Sequence, residues 1–133
     1  MEPPVPARQL EGTLMPRLGI EFLEATGKRV VATMPVEGNI QPFGVLHGGA
    51  TAALCETVGS LGAALAAGDD KIALGIEINV NHIRAVRDGI VTATAVPLHT
   101  GSTTAVWDIR VVDDRQRLTA VSRLTLAIRD AGV

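Results

Sequence analysis

ATAALCETVGSLGAALAA, residues 50–67, is the stretch on which the fold turns. It is rich in alanine and leucine, contains no proline, and ends at Gly68-Asp69-Asp70, a helix-stop and turn signal. Small residues occupy nearly every side of the helix it predicts. A surface helix would carry one apolar stripe and one polar face. This pattern instead points to a helix that other backbone approaches closely on several sides. From Gly48 to Gly68 the chain is also poor in charge, as a membrane span would be. Two features argue against a span: alanine and glycine offer little apolar area, and a carboxylate at the centre, Glu56, is costly in hydrocarbon. The segment therefore reads as a helix buried inside protein.

On its N-terminal side the sequence turns to β structure at Gly19. Residues 19–26 and 29–36 predict two short strands joined at Gly27-Lys28, with Val30, Ala32 and Met34 on one face. Pro35, Gly38 and Pro42 mark an irregular loop that leads into the helix. On its C-terminal side nearly everything is strand. Ile72, Leu74, Ile76, Ile78 and Val80 alternate with smaller or polar residues, a period of two extending to about Arg87. Asp88-Gly89 is a two-residue hairpin signal. Strands are expected over 90–98, 103–112 and 117–129, the last with Leu118, Ala120, Ser122, Leu124, Leu126 and Ile128 on one face. Two strands, one helix and four strands make an α+β layer arrangement. A long antiparallel sheet curled around the helix would explain the small residues.

The chain has 133 residues, enough for one domain, read here as residues 19–133 preceded by a tail over residues 1–18. Leu10 to Leu14 is expected to form one helical turn ended by Pro16, and the residues before it a loose tail. Hydrophobic residues make up 47%, so a real core is expected. A net charge of −2 provides no global positive field, which argues against a nucleic-acid-binding module or an anionic membrane as partner. The single cysteine, Cys55, excludes an internal disulfide and reads as a small buried hydrophobe without a base to activate it. Trp107 reads as packing. The N-terminal MEPPVPARQLEG lacks the apolar core of a signal peptide, and a cytoplasmic location is expected. The histidines form no metal-type spacing, so neither a metal nor a cofactor is expected.

Two features carry chemistry. Glu56 is the one carboxylate between His47 and Asp69, with no cation three or four residues away. It is either a buried carboxylate with the profile of a general base or nucleophile, or a glutamate on a narrow exposed stripe. His47-Gly48-Gly49 opens the helix. It is either a tight turn, or a place where free backbone N–H groups and the helix dipole polarise a carbonyl. Glu56 lies eight residues beyond Gly48, roughly 12 Å along a helix axis. That is too far for both to hold one reacting carbon in one chain, so a second copy is required if both act.

The run Asn39-Ile40-Gln41-Pro42-Phe43-Gly44-Val45-Leu46-His47-Gly48-Gly49, with Leu54 and Glu56 after it, resembles the signature of hotdog-fold acyl-CoA thioesterases. The branch is the one with a catalytic glutamate, typified by 1,4-dihydroxy-2-naphthoyl-CoA and 4-hydroxybenzoyl-CoA hydrolases. The likeness continues through Leu74 to Asn79, Asn81 to Arg84, Pro97-Leu98-His99, Gly101-Ser102, Val106-Trp107 and Ser122-Arg123-Leu124, and so covers about residues 19–128. It implies a sheet wrapped around a central helix and hydrolysis of an acyl-CoA thioester, with an aromatic acyl group expected. It implies that Glu56 attacks the carbonyl or activates water, and that the Gly48 N–H polarises the carbonyl. Gln41 and His47 would orient the thioester, and Ser60 would support the carboxylate or water. Gly75, His82, Arg84, His99, Gly101 and Ser102 resemble substrate and coenzyme A contacts. The glutamate and the carbonyl-binding glycine would come from different subunits of a homodimer or homotetramer. Two other classes fit a hotdog domain: a non-catalytic acyl-CoA-binding module, disfavoured by Glu56 and the lack of a DNA-binding segment, and an acyl-thioester dehydratase.

Overall fold

The structure, a computed structural model, describes residues 2–132. Its central element is helix α3, Gly48–Ala67, preceded by α1 (Ala7–Leu10), α2 (Leu14–Leu18), β1 (Glu21–Ala25) and β2 (Val30–Pro35). It is followed by β3 (Lys71–His82), β4 (Ile90–Thr100), β5 (Thr104–Val112) and β6 (Leu118–Asp130). The strands form one antiparallel sheet in the order β1-β2-β4-β5-β6-β3. α3 packs against every strand from β2 to β6. By length and composition it could cross a membrane, but the sheet wraps it and half of its most apolar window is buried.

The small residues of α3 are matched by large ones on the sheet. A side chain at Gly62 would run into the Trp107 indole, and one at Gly59 would come 2.7 Å from the Leu124 Cδ2. Trp107, Leu124 and Ile109 are fully buried, so the strands supply the bulk and the helix supplies the room. The inward face expected for the last strand is found, with Ala120, Ser122, Leu124, Leu126 and Ile128 buried. Cys55 is fully buried, and burial pushes its thiol up to about 12, partly offset by the Ser122 hydroxyl. It is an inert core residue.

Several expectations need correction. The N-terminal stretch is not a loose tail with one turn at residues 10–14. It forms the two short helices α1 and α2, and Val5, Leu10, Met15 and Leu18 pack against the core. Pro16 lies inside α2, in the first turn, where no intrahelical donor is lost. The third strand stops at His82 rather than about Arg87, residues 83–89 form a loop, and Asp88-Gly89 closes no hairpin, since β3 pairs with β6 while β4 lies between β2 and β5.

The alternation in β3 also does not keep one face. Gly75 opposes Leu126 and Glu77 opposes Thr125, so Ile76 is an extra residue in a bulge. Beyond the bulge Ile78 and Val80 pack toward the core, whereas Leu74 and Ile76 are exposed. On the inner face at the bulge stands a glycine, Gly75.

Candidate active site

Glu56 lies on the exposed side of α3, which decides between the two readings left open by its sequence. It is not a buried carboxylate within the chain, but neither is it simply in solvent. Its carboxylate rests over Gly75 of the neighbouring strand, where a Cβ would lie 2.5 Å from the Glu56 Oε2. The bulge and the glycine together make the space in which the carboxylate sits. None of the salt bridges among the described residues involves Glu56.

Glu56 and the half-buried Ser60 one turn later line a cavity of about 420 Å³. The rest of its wall is almost wholly apolar: Val5, Leu10, Leu14, Met15, Phe22 and Leu61. Three of these, Leu10, Leu14 and Met15, come from the N-terminal helices, and Val5 directly precedes them, in the stretch expected to be a tail. A signal was present in the spacing of Leu10, Leu14 and Leu18, apolar residues at intervals of four. Thr57 also reaches this wall, but its hydroxyl donates to the Ala53 carbonyl at 2.7 Å and is already committed.

The helix N-terminus is built differently. His47 is the N-cap, and its Nδ1 accepts the Gly49 N–H at 2.8 Å. An accepting Nδ1 leaves Nε2 as the protonated nitrogen of a neutral ring, so His47 presents a donor outward. The Gly48 N–H, in the first helical position, has no carbonyl of its own helix to meet. A side chain at Gly48 would lie 2.9 Å from the His82 Nε2, so the imidazole of β3 covers this position closely. Gln41 is held by its side-chain oxygen, which accepts the Phe43 N–H, leaving the amide nitrogen to donate elsewhere. The loop carrying Gln41 is pinned by Asn39, whose amide donates to the Leu18 and Pro35 carbonyls at 2.7 and 2.8 Å. Gln41, Gly48, His82 and Arg84 line a second cleft, of about 300 Å³.

Within one chain, then, Glu56 and Gly48 face different cavities. One cavity holds a carboxylate in an apolar wall, and the other gathers backbone and side-chain donors. Each has half of what acyl transfer needs: a nucleophile or base, and donors for the carbonyl oxygen. The family model for the thioesterase superfamily matches residues 43–120, a span that includes Gly48, Glu56 and His82.

The chain belongs to the thioesterase superfamily.

It has the hotdog fold of that family, and it is a thioester hydrolase. The 1,4-dihydroxy-2-naphthoyl-CoA hydrolase of Escherichia coli K12 is 43% identical over 119 residues, covering 89% of this chain and 88% of that protein. A proofreading thioesterase of Cronobacter turicensis is 43% identical over 118 residues, covering 88% and 86%. The crystal structure of a Haemophilus influenzae thioesterase superposes with a TM-score of 0.90 at 41% identity, covering 95% of this chain and 89% of that one.

The remaining residues singled out by sequence lie at two ends of the sheet. His82 ends β3 opposite Ala120 of β6, and Arg84 follows it, its N–H donating to the Thr119 carbonyl. His99, Gly101 and Ser102 lie at the β4–β5 connection, where the His99 Nε2 would meet a Gly101 Cβ at 2.6 Å. That connection sits beside Ala127 at the other end of β6. The two groups are about 23 Å apart along β6 at ~3.3 Å per residue. One chain therefore does not bring them together.

Proposed function

We propose that this thioesterase hydrolyses an acyl-CoA thioester with a bulky, aromatic acyl group, at a site built from two copies of the chain. The observation that carries this reading is Glu56 on the wall of an otherwise apolar cavity of about 420 Å³. Such a cavity suits a ring system, and small-molecule sites of this kind are apolar with few polar groups. The hydrolases of similar sequence named for 1,4-dihydroxy-2-naphthoyl-CoA support an aromatic acyl group.

The second copy enters through β3. This strand is one edge of the sheet, and its outer backbone groups have no partner within the chain. Leu74 and Ile76 are 52% and 63% exposed on it, more apolar surface than an uncovered edge should carry. Gly75 marks the position of Glu56 along β3, and His82 marks that of Gly48. If two β3 strands pair antiparallel, the Gly75 end of one lies toward the His82 end of the other. Glu56 of one copy then approaches Gly48 of its partner, which removes the separation found within a chain. The same symmetry carries the His99-Gly101-Ser102 connection of one copy toward the His82-Arg84 end of the other.

In this arrangement the Gly48 N–H, aided by the positive end of α3, polarises the thioester carbonyl. The Gln41 amide and the His47 Nε2–H orient the thioester. Glu56 either attacks the carbonyl carbon, giving a mixed anhydride that water cleaves, or takes a proton from the water that attacks. Both routes expel the coenzyme A thiolate, and both need the carboxylate ionised and Ser60 nearby to hold it or the water. Glu56→Gln tests the reading. With benzoyl-CoA and thiol release as readout, kcat should fall by about 10²–10⁴, the worth of a general base, while binding and melting temperature hold. Near-normal turnover in the folded variant would refute the assignment. A monomer by light scattering that retains full activity would refute the two-copy site.

A further inference from the structure

The Glu56 cavity has a neighbour. A second cavity, of about 370 Å³, lies between the N-terminal segment and the start of β1, and among the described residues it takes no lining from α3. Three side chains belong to both cavities: Val5, Leu10 and Phe22. They form a single layer of side chains between the two. Glu56 and Ser60 stand on the near side of this partition, and Pro16, Ile20 and Leu23 on the far side. The three members are held differently. Phe22 sits on β1 opposite Ala32 of β2, is 7% exposed, and borders a bulge at which Leu23 is turned out to solvent. Leu10 ends α1, where its carbonyl accepts the Thr13 N–H at 3.0 Å and the Thr13 hydroxyl at 2.5 Å. Val5 precedes α1, a helix of four residues with no side-chain cap and no buried residue. Phe22 is therefore the fixed member, since strand pairing holds its backbone. Side chains of a core are packed on all sides. Phe22 is buried yet faces cavity space on two sides, which core packing alone does not call for.

An acyl group whose carbonyl lies at Glu56 extends away from α3 across the first cavity and meets this partition. We propose that Phe22, together with Val5 and Leu10, determines specificity by setting how long an acyl group the enzyme accepts. This inference rests on the acyl-CoA reading above. The ring closes the acyl cavity at its far end, and the space behind it becomes usable only when the ring is cut back. The discrimination has a simple physical source. An acyl group that stops short of the partition is buried against apolar side chains. A longer one must displace a side chain anchored in the sheet, or else sit misplaced at its carbonyl. One methylene more or less in an apolar pocket changes kcat/KM by about 10–200-fold. Phe22 meets the part of the substrate remote from the reacting carbon. Cutting it back should therefore change the ranking of substrates and leave the chemistry of short ones in place.

The test is a length series of 4-alkylbenzoyl-CoA thioesters, from methyl to octyl, followed by thiol release. In the native protein kcat/KM should drop sharply at one alkyl length. Phe22→Leu keeps a buried apolar side chain but removes the ring. In this variant the drop should move to longer alkyl groups, and the octyl-to-methyl ratio of kcat/KM should rise roughly tenfold. Val5→Ala cuts the same partition from the N-terminal segment and should shift the ratio in the same direction, which keeps the proposal testable should the core variant fail to fold. Leu23→Ala, on the same strand but lining only the second cavity, should leave the ratio alone. An unchanged ratio in the folded partition variants overturns the proposal. So does a native profile without a drop, and so does an equal loss at every alkyl length, which would mean a structural role. Binding of 4-octylbenzoate and 4-methylbenzoate, measured by calorimetry, reads the partition without hydrolysis, and Phe22→Leu should favour the octyl compound. If the native protein hydrolyses none of the thioesters, the acyl-CoA reading fails. A gain in octylbenzoate binding in Phe22→Leu then sustains the partition, and no gain overturns it as well.

Discussion

Gly75→Ala is the sharpest probe of the site, because it moves the carboxylate without touching it. A Cβ at this position would lie 2.5 Å from the Glu56 Oε2 and 3.4 Å from its Cδ. Non-bonded carbon and oxygen do not share 2.5 Å, so the carboxylate must retreat by about 1 Å. A displacement of that size at a reacting group costs on the order of 10²-fold in rate. The fold should tolerate the change. Gly75 is not in the left-handed region, its other neighbour, Leu124 Cδ1, is at an ordinary 3.6 Å, and the obstructed group is the far end of a flexible side chain. Replacing glycine in extended backbone also lowers the entropy of the unfolded chain, worth about 0.4–1 kcal/mol in favour of the native state. Melting temperature should therefore hold or rise while kcat for benzoyl-CoA, followed by thiol release, falls by about 10²-fold. The effect should be on kcat more than on KM, which separates displacement of Glu56 from loss of a coenzyme A contact at Gly75. Normal kcat in a folded Gly75→Ala protein would refute the argument that this glycine holds the carboxylate in place.

Two further outcomes concern stability. Gly62→Ala forces a methyl group into the Trp107 ring, in a core where neither element can shift freely, and should cost about 1–3 kcal/mol. Thermal unfolding should show a drop of several degrees, and an unchanged melting temperature would contradict the close fit of α3 on the sheet. Asp113 is the second case. Burial works to raise its carboxyl, but the Arg117 backbone N–H, the Arg117 guanidinium and the Arg115 N–H together hold it below the usual carboxylate range. A depressed carboxyl contributes stability above its unfolded value and loses it as pH falls through the folded one. Asp113→Asn should therefore narrow the stability difference between neutral and acidic pH, as read from urea unfolding at both. An unchanged acid dependence would remove Asp113 from the account.

Much of this molecule is legible in its linear sequence because the relevant physics is local. A proline-free run of small residues ending at Gly68 points to a helix, and Gly27-Lys28 places the β1–β2 hairpin, whereas Asp88-Gly89 closes no hairpin, because which strand β3 pairs with is decided across the whole chain. Alternation over residues 118–128 assigns one inward face that the structure keeps. The spacing of Gly48 and Glu56 alone shows that one chain cannot hold both on one reacting carbon, since helix rise per residue is invariant.

Other features were decided by the tertiary structure, because they depend on which residues meet across large sequence separations. The phase of β3 could not be read from its five alternating apolar residues, since the bulge at Ile76 exists only relative to β6. The exposure of Glu56 depended on what lay opposite it, and that proved to be a glycine 19 residues further along the chain. The N-terminal helices are too short to be assigned by propensity and acquire their form by packing, so the spacing of Leu10, Leu14 and Leu18 does not by itself reveal the apolar wall of the Glu56 cavity.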